Sequence, residues 1–305
     1  MTSLTVPAYA KINLTLDVLA RRPDGYHDIR SIIQTLTLHD TLTITHTPDA
    51  PGVRLEVSGV EAGGVPSDAS NIVHRAAVRL QKTAAARDIL PGSRSGLHIA
   101  LTKRIPSQAG LGGGSSDAAA ALTAIDRLLG LGLSRQRLTE IGAALGADVP
   151  FFLTGGTARV EGLGEQITPL PPFGSDLWCL VVKPPVGVST AAAYAALDAD
   201  PERMPGRATE EWAATRSPKQ RLPLGNDFQQ AVLAAYPQIA VAYDAIASGL
   251  SHSPIPGGNG PLLSGSGSAL FALTANDEVA YWLADYVLGA RAGKVWVTRL
   301  QDRTE

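Results

Sequence analysis

Lys103-Arg-Ile-Pro-Ser-Gln-Ala-Gly110-Leu-Gly-Gly-Gly-Ser-Ser-Asp117-Ala-Ala-Ala-Ala121 decides the reading of this chain. Glycine occupies positions 110 and 112–114, and the run passes without a break into an Ala-rich stretch whose Leu122, Ile125 and Leu129 share one helical face. A helix over 116–129 is expected. Glycines let backbone N–H groups approach an anion with no Cβ in the way, and the helix start adds its dipole and free donors. Ser115 and Ser116 add hydroxyls. The plain alternative is a flexible linker capped by Ser, but such linkers seldom open directly into an amphipathic helix. A Walker A loop requires Gly-Lys-Ser/Thr where Gly114-Ser-Ser-Asp stands, and a dinucleotide fingerprint requires a third Gly at 115, which is Ser. The segment reads as a phosphate cradle of another kind.

Outward from the cradle, residues 11–18 alternate: Ile12, Leu14, Leu16 and Val18 are apolar, while Lys11, Asn13, Thr15 and Asp17 are polar. That pattern predicts a strand with one buried face. Shorter alternating runs at 36–44, 53–57 and 97–101 predict further strands, with a helix around 72–80 between the last two. A helix over 134–145 follows, with Ser134 as its N-cap. After Pro169-Leu-Pro-Pro172 the pattern restarts: strands at 178–182, 270–273 and 295–300, and helices at 190–197, 277–288 and 227–248, the last interrupted by Pro237. Residues 198–223, rich in Pro, Arg and Glu, read as an exposed loop. At 305 residues the chain is long for one core, so two domains are expected, 1–170 and 171–305.

The 26 Lys and Arg against 28 Asp and Glu leave a net charge of -2, which argues against a nucleic-acid binder. The opening MTSLTVPAYAKINL lacks the long apolar core of a secretory signal, and no stretch reaches the ~18 apolar residues of a membrane span. A cytoplasmic protein with no membrane or obligate protein partner is expected. The lone Cys179 lies in an apolar run and reads as a buried, inert thiol.

A cradle without its own Lys needs a cation from elsewhere, and reaction at a hydroxyl needs a base. Lys11, on the polar face of an apolar strand, fits the first; Asp148, in Gly146-Ala-Asp-Val-Pro-Phe-Phe152, fits the second. Taken singly, a surface lysine and a capping aspartate explain them as well.

Taken together, Pro7-Ala-Tyr-Ala-Lys-Ile-Asn-Leu14, Pro106–Ser116 and Leu263-Ser-Gly-Ser-Gly-Ser268 resemble, in order and spacing, the three motifs of the GHMP kinases. Arg22-Pro-Asp-Gly-Tyr-His27, Asn71-Ile-Val73, Gly146–Phe152 and Gly225-Asn-Asp227 are similar to the branch of that superfamily whose acceptor is a cytidyl-diphospho-methylerythritol. The resemblance implies an α+β fold with a ribosomal-protein-S5-like N-terminal domain and a ferredoxin-like C-terminal domain. It implies ATP with Mg2+ and transfer of a phosphoryl group to the 2-hydroxyl, a step of the non-mevalonate isoprenoid route. By the same resemblance Lys11 and Asp148 are the catalytic pair. Pro106, Ser107, Gln108, Ala109, Gly110, Leu111, Gly112, Gly113, Gly114, Ser115 and Ser116 hold ATP, with Asn71 and Lys103 lining the adenosine pocket. Tyr26 and His27 hold the cytosine, and Asn13, Thr190, Gly265, Ser266 and Gly267 complete the acceptor side; Ser116 is the candidate metal ligand. Gln108 stands where the family usually has a small residue. A kinase of another small alcohol would keep the cradle without needing the Gly-Tyr-His turn, and a non-catalytic nucleotide binder would tolerate loss of Lys11 or Asp148.

Overall fold

The structure, a computed structural model, describes residues 2–48, 50–86, 96–174, 176–200, 202–214, 222–255 and 258–302. The first half holds β1 (Ser3–Arg21), β2 (His27–Thr47), β3 (Gly52–Ser58), α1 (Ile72–Ala86), β4 (Gly96–Thr102), α2 (Gly113–Leu129), α3 (Arg135–Ala143), α4 (Val149–Thr154), β5 (Thr157–Gly162) and β6 (Gln166–Pro169). The second half holds β7 (Trp178–Lys183), α5 (Thr190–Asp198), α6 (Ala208–Ala214), β8 (Gly225–Asn226), α7 (Phe228–Ala235), α8 (Pro237–His252), β9 (Asn259–Leu263), β10 (Leu270–Thr274), α9 (Asp277–Gly289) and β11 (Lys294–Arg299). The expected mixed α+β content is present, with one seven-stranded and one four-stranded sheet.

Two compact units share these elements. The first comprises residues 1–10, 38–107 and 112–154; the second comprises 11–37, 108–111 and 155–305. In the first, β4 lies between β3, which it meets in parallel, and the end of β2, which it meets antiparallel. Leu42, Ile44, Leu97, Ile99 and Leu101 from the strands pack on Val73, Ala76, Ala77 and Leu80 of α1 and on Ala118, Ala121, Leu122 and Ile125 of α2. The run of alanines lets α2 sit close, since none of these side chains keeps a neighbour at a distance.

In the second unit the four-stranded sheet runs β11-β7-β10-β9, antiparallel throughout. Numbered within this layer, the order is fourth, first, third, second, the ferredoxin-like arrangement expected for the C-terminal part. Leu180, Val182, Leu270 and Ala272 face Ile239, Ala242 and Ile246 of α8 and Leu283 and Val287 of α9 in its core. Cys179 is fully buried in β7, and burial pushes its thiol up. Pro237 does break the expected 227–248 helix: α7 and α8 meet at 116° with the proline opening α8.

Two expectations need correction. The strand at 11–18 is buried on both faces: Lys11, Asn13, Thr15 and Asp17 are at most 4% exposed. Residues 198–223 are not simply an exposed loop. Both Asp17 carboxylate oxygens accept the N–H groups of Ala208 and Thr209 at the start of α6, and the Arg203 guanidinium donates to the carbonyls of Val18 and Leu19. Residues 201 and 215–221 of that stretch lie outside the described ones.

The first unit also buries a charged cluster. The Lys103 ammonium donates to Asp40 and to Asp117, 2.6 Å away, and all three side chains are at most 4% exposed. The other Asp40 oxygen accepts the N–H groups of Arg104 and Ile105. Burial opposes the Lys103 charge, but the two carboxylates outweigh it and hold the ammonium above its ordinary value. Burial pushes Asp117 up to about 8, partly countered by Lys103, and its Oδ1 is buried without a hydrogen-bond partner. The folded chain therefore holds a proton on Asp117 that the unfolded chain releases above about pH 4, so this group's contribution to stability falls as pH rises from about 4 to about 8. Asp117→Asn, which mimics the protonated group, should gain in Tm relative to the parent across that interval and level off above it. Thermal unfolding of both proteins at a series of pH values checks this, and a Tm difference independent of pH would contradict it.

Candidate active site

Three segments far apart in sequence meet at Lys11 within the second unit. The Lys11 N–H donates to the Leu111 carbonyl at 3.0 Å, and the Lys11 ammonium donates to Asn13 Oδ1. Gly265, at φ 56°, lies against the same pair: a Cβ there would stand 3.3 Å from Lys11 Nζ and 3.4 Å from Asn13 Oδ1. Gly110, at φ 72°, is tighter still, since a Cβ would fall 2.0 Å from the Ser264 carbonyl oxygen. Ser264 Oγ donates to the Gly110 carbonyl at 2.9 Å, and the Ala269 N–H donates to the Ala109 carbonyl at 3.1 Å. Asn226 steadies this arrangement by donating to the carbonyls of Leu263 and Gly265 at 2.7 and 2.8 Å. Ser266 Oγ and Thr190 Oγ1 are 3.2 Å apart, which joins Thr190 to the Gly265–Gly267 turn. Gln108, the departure from a small residue, is exposed and left-handed at φ 51°, a conformation that costs a side-chain-bearing residue energy.

In the first unit the cradle ends in α2. The helix begins at Gly113, three residues earlier than expected, because Gly112 adopts a left-handed conformation at φ 69° and turns the chain into the first coil. No side chain caps this end. The Ser116 N–H already bonds to the Gly112 carbonyl at 2.9 Å, so the N–H groups of Gly113, Gly114 and Ser115 precede the helical ladder, the donors a phosphate uses. Gly113 serves close packing: a Cβ would lie 3.0 Å from Ile105 Cγ2 and 3.4 Å from Lys103 Nζ. Pro106 is buried and Ser107 exposed.

The remaining candidates of this unit have local roles. Asn71 is 5% exposed and caps α1, accepting from the Val73 N–H at 2.8 Å and donating to the Pro66 carbonyl at 2.7 Å. The Lys103 ammonium is engaged by Asp40 and Asp117. Asp148 is half-buried directly before α4, whose Pro150 fits a first turn that needs no N–H.

Tyr26 and His27 differ sharply. The Tyr26 ring is 65% exposed on the turn after Asp24, while His27 is 6% exposed. The imidazole stacks on Tyr194, with ring centroids 5.1 Å apart and planes 16° from parallel, and its Nε2 lies 3.0 Å from Asp198 Oδ1. Tyr194 and Asp198 are four residues apart on α5, so one helical face meets His27 with a ring and a carboxylate. Sequence reading missed both, as it missed Asp40 and Asp117; the available signal was the four-residue spacing from Thr190 to Tyr194 and on to Asp198.

Among the described residues no group of three or more His, Cys, Asp or Glu side chains is placed to hold a metal. Ser116, the candidate metal ligand, is 2% exposed in the first turn of α2, and that uncapped helix start suits a nucleotide whose own phosphate oxygens carry most of the coordination of a Mg2+ ion.

Residues 71–156 match the GHMP kinases N terminal domain. The chain is 42% identical to the 4-diphosphocytidyl-2-C-methyl-D-erythritol kinase of Moorella thermoacetica, over 93% of this chain and 94% of that protein. It is 43% identical to the kinase of the same name from Geobacter metallireducens, over 92% of each. A crystal structure of 4-(cytidine 5'-diphospho)-2C-methyl-D-erythritol kinase superposes with a TM-score of 0.78 at 31% identity, covering 98% of this chain and all of that one. With this likeness running through nearly the whole length, the chain belongs to the 4-diphosphocytidyl-2-C-methyl-D-erythritol kinase family of the GHMP kinases.

Proposed function

We propose that the chain transfers the γ-phosphoryl group of ATP to the 2-hydroxyl of 4-diphosphocytidyl-2-C-methyl-D-erythritol, giving the 2-phosphate and ADP in non-mevalonate isoprenoid precursor synthesis. The observation that carries this reading is the meeting of residues 11, 110–111 and 265: the Lys11 backbone is held on Leu111, and its buried ammonium lies beside the Gly265 backbone.

In this reading the α2 start receives the phosphates through the N–H groups of residues 113–115. Ser116 is the residue that would hold Mg2+, which when bound would supply positive charge to the nucleotide's phosphates. The Asp148 carboxylate accepts the proton of the 2-hydroxyl as its oxygen bonds to the γ-phosphorus, and the bond to the β–γ bridging oxygen breaks with its electrons leaving on ADP. The Lys11 ammonium, directed by Asn13, stabilises the developing oxyanion; such fixed donors cost no reorganisation during the reaction. The exposed Tyr26 ring and the His27–Tyr194 pair supply flat faces for the cytosine, each base stack being worth about 1–3 kcal/mol. Assay of ADP release against a panel of alcohols, including homoserine, mevalonate and sugars, tests the acceptor; turnover confined to the cytidyl compound is expected.

Asp148→Asn should lower kcat by about 10²–10⁴ with ATP affinity nearly unchanged. Retention of half the parent kcat with phosphoryl transfer rate-limiting would remove Asp148 from this role. His27→Ala should raise KM for the cytidyl acceptor about tenfold while KM for ATP stays within about twofold, and the reverse pattern would mean the two pockets are exchanged. Gly110→Ala has no room against the Ser264 carbonyl and should weaken ATP binding by about tenfold or more. ATP titration of the folded variant measures this, and parental affinity would place the nucleotide away from this turn.

A further inference from the structure

The Lys11 ammonium does not choose its direction alone. Its acceptor is a primary amide, and the two ends of an amide side chain have nearly the same shape but opposite hydrogen-bonding sense. Asn13 is 3% exposed, and its Nδ2 donates to Ser31 Oγ at 2.8 Å. Ser31 is fully buried on the neighbouring strand β2, and its hydroxyl donates to the Thr15 carbonyl. A hydroxyl has one proton, and a carbonyl only accepts. With that proton committed to Thr15, Ser31 Oγ has only lone pairs to offer, so the Asn13 atom facing it must be the NH2 group. The amide oxygen is thereby left facing Lys11.

The anchor of this relay is equally directional. Thr15 Oγ1 accepts the Ile32 N–H at 2.8 Å, so the backbone beside Ser31 is tied to the residue whose carbonyl takes the Ser31 proton. Thr209 of α6 donates through Oγ1 to the Arg30 carbonyl at 3.2 Å and lies 2.8 Å from Thr15 Oγ1. Its N–H donates to Asp17, so β2 and α6 together hold this part of β1.

We infer that Ser31 is a positioning residue for phosphoryl transfer: by committing its proton to Thr15 it fixes the Asn13 amide, and Asn13 fixes the Lys11 ammonium. A lysine stem left to itself samples many rotamers, so an acceptor locked in advance keeps the charge where the oxyanion forms. Without the Ser31 hydroxyl a buried Asn13 donor has no acceptor, and the amide turns away from the orientation Lys11 needs.

This rests on the role proposed for Lys11, and the experiment separates the two. Steady-state constants for both substrates are measured for the parent, Lys11→Met, Ser31→Ala, Asn13→Ala and the Ser31→Ala/Asn13→Ala double variant. Ser31→Ala should lower kcat about tenfold or more with both KM values within about twofold, and in the Asn13→Ala background the same change should cost less than about twofold, because its effect passes through Asn13. Ser31→Thr and Ser31→Val, alike in shape and differing in the hydroxyl, give a second comparison: kcat of the Thr variant should exceed that of the Val variant about tenfold. Equal kcat for Thr and Val, or an undiminished cost of Ser31→Ala without Asn13, would overturn the inference while Lys11→Met remains inactive. An active Lys11→Met would instead remove the role proposed for Lys11, and the inference with it.

Discussion

Four polar side chains on one face of β1, Lys11, Asn13, Thr15 and Asp17, are taken out of water together, and much of the second unit is arranged to satisfy them. An unpaired buried charge is costly, so each group needs a partner of the right sense. Lys11 reaches Asn13, Asn13 reaches Ser31, Thr15 binds the backbone of β2, and Asp17 takes two N–H groups from α6. These partners come from elements separated by up to 192 residues of chain, so folding the unit and building its cationic corner are one process.

The first unit meets the same requirement with one ammonium between two carboxyl groups. Lys103, at the end of β4, is held by Asp40 from β2 and Asp117 from α2, on either side of the glycine-rich segment in sequence. A buried pair is weak evidence for net stability, because desolvation offsets much of the attraction. Its value here is geometric: the strand end that enters the segment and the helix that leaves it are tied to one amine. The helix start between them carries no capping side chain and keeps its donors for a ligand.

Much of this was legible in the sequence where periodicity and glycine carry the information. The strict alternation at 11–18 placed Lys11 and Asn13 on one face, and the glycines at 110 and 112–114 marked the cradle. What alternation does not encode is which distant residue will cover a polar face, so the burial of Thr15 and Asp17 by α6 was invisible. Local composition is equally silent at two prolines. Gly260-Pro261 has the composition of a turn, yet it lies in β9, an edge strand, where a missing N–H is tolerated. Pro150 marks a helix stop in most contexts but here lies in the first turn of α4. Tyr26 and His27 stand side by side in the sequence, but which ring is buried depends on Tyr194, 167 residues beyond His27.

The single cysteine gives the chain an internal clock. Cys179 is closed off in β7 between β10 and β11, with its thiol held in the unreactive protonated form by burial. A thiol reagent has no other target in the sequence, so modification has to wait until this sheet opens. The rate of labelling then reports how often the second unit's core breathes, without any engineered probe.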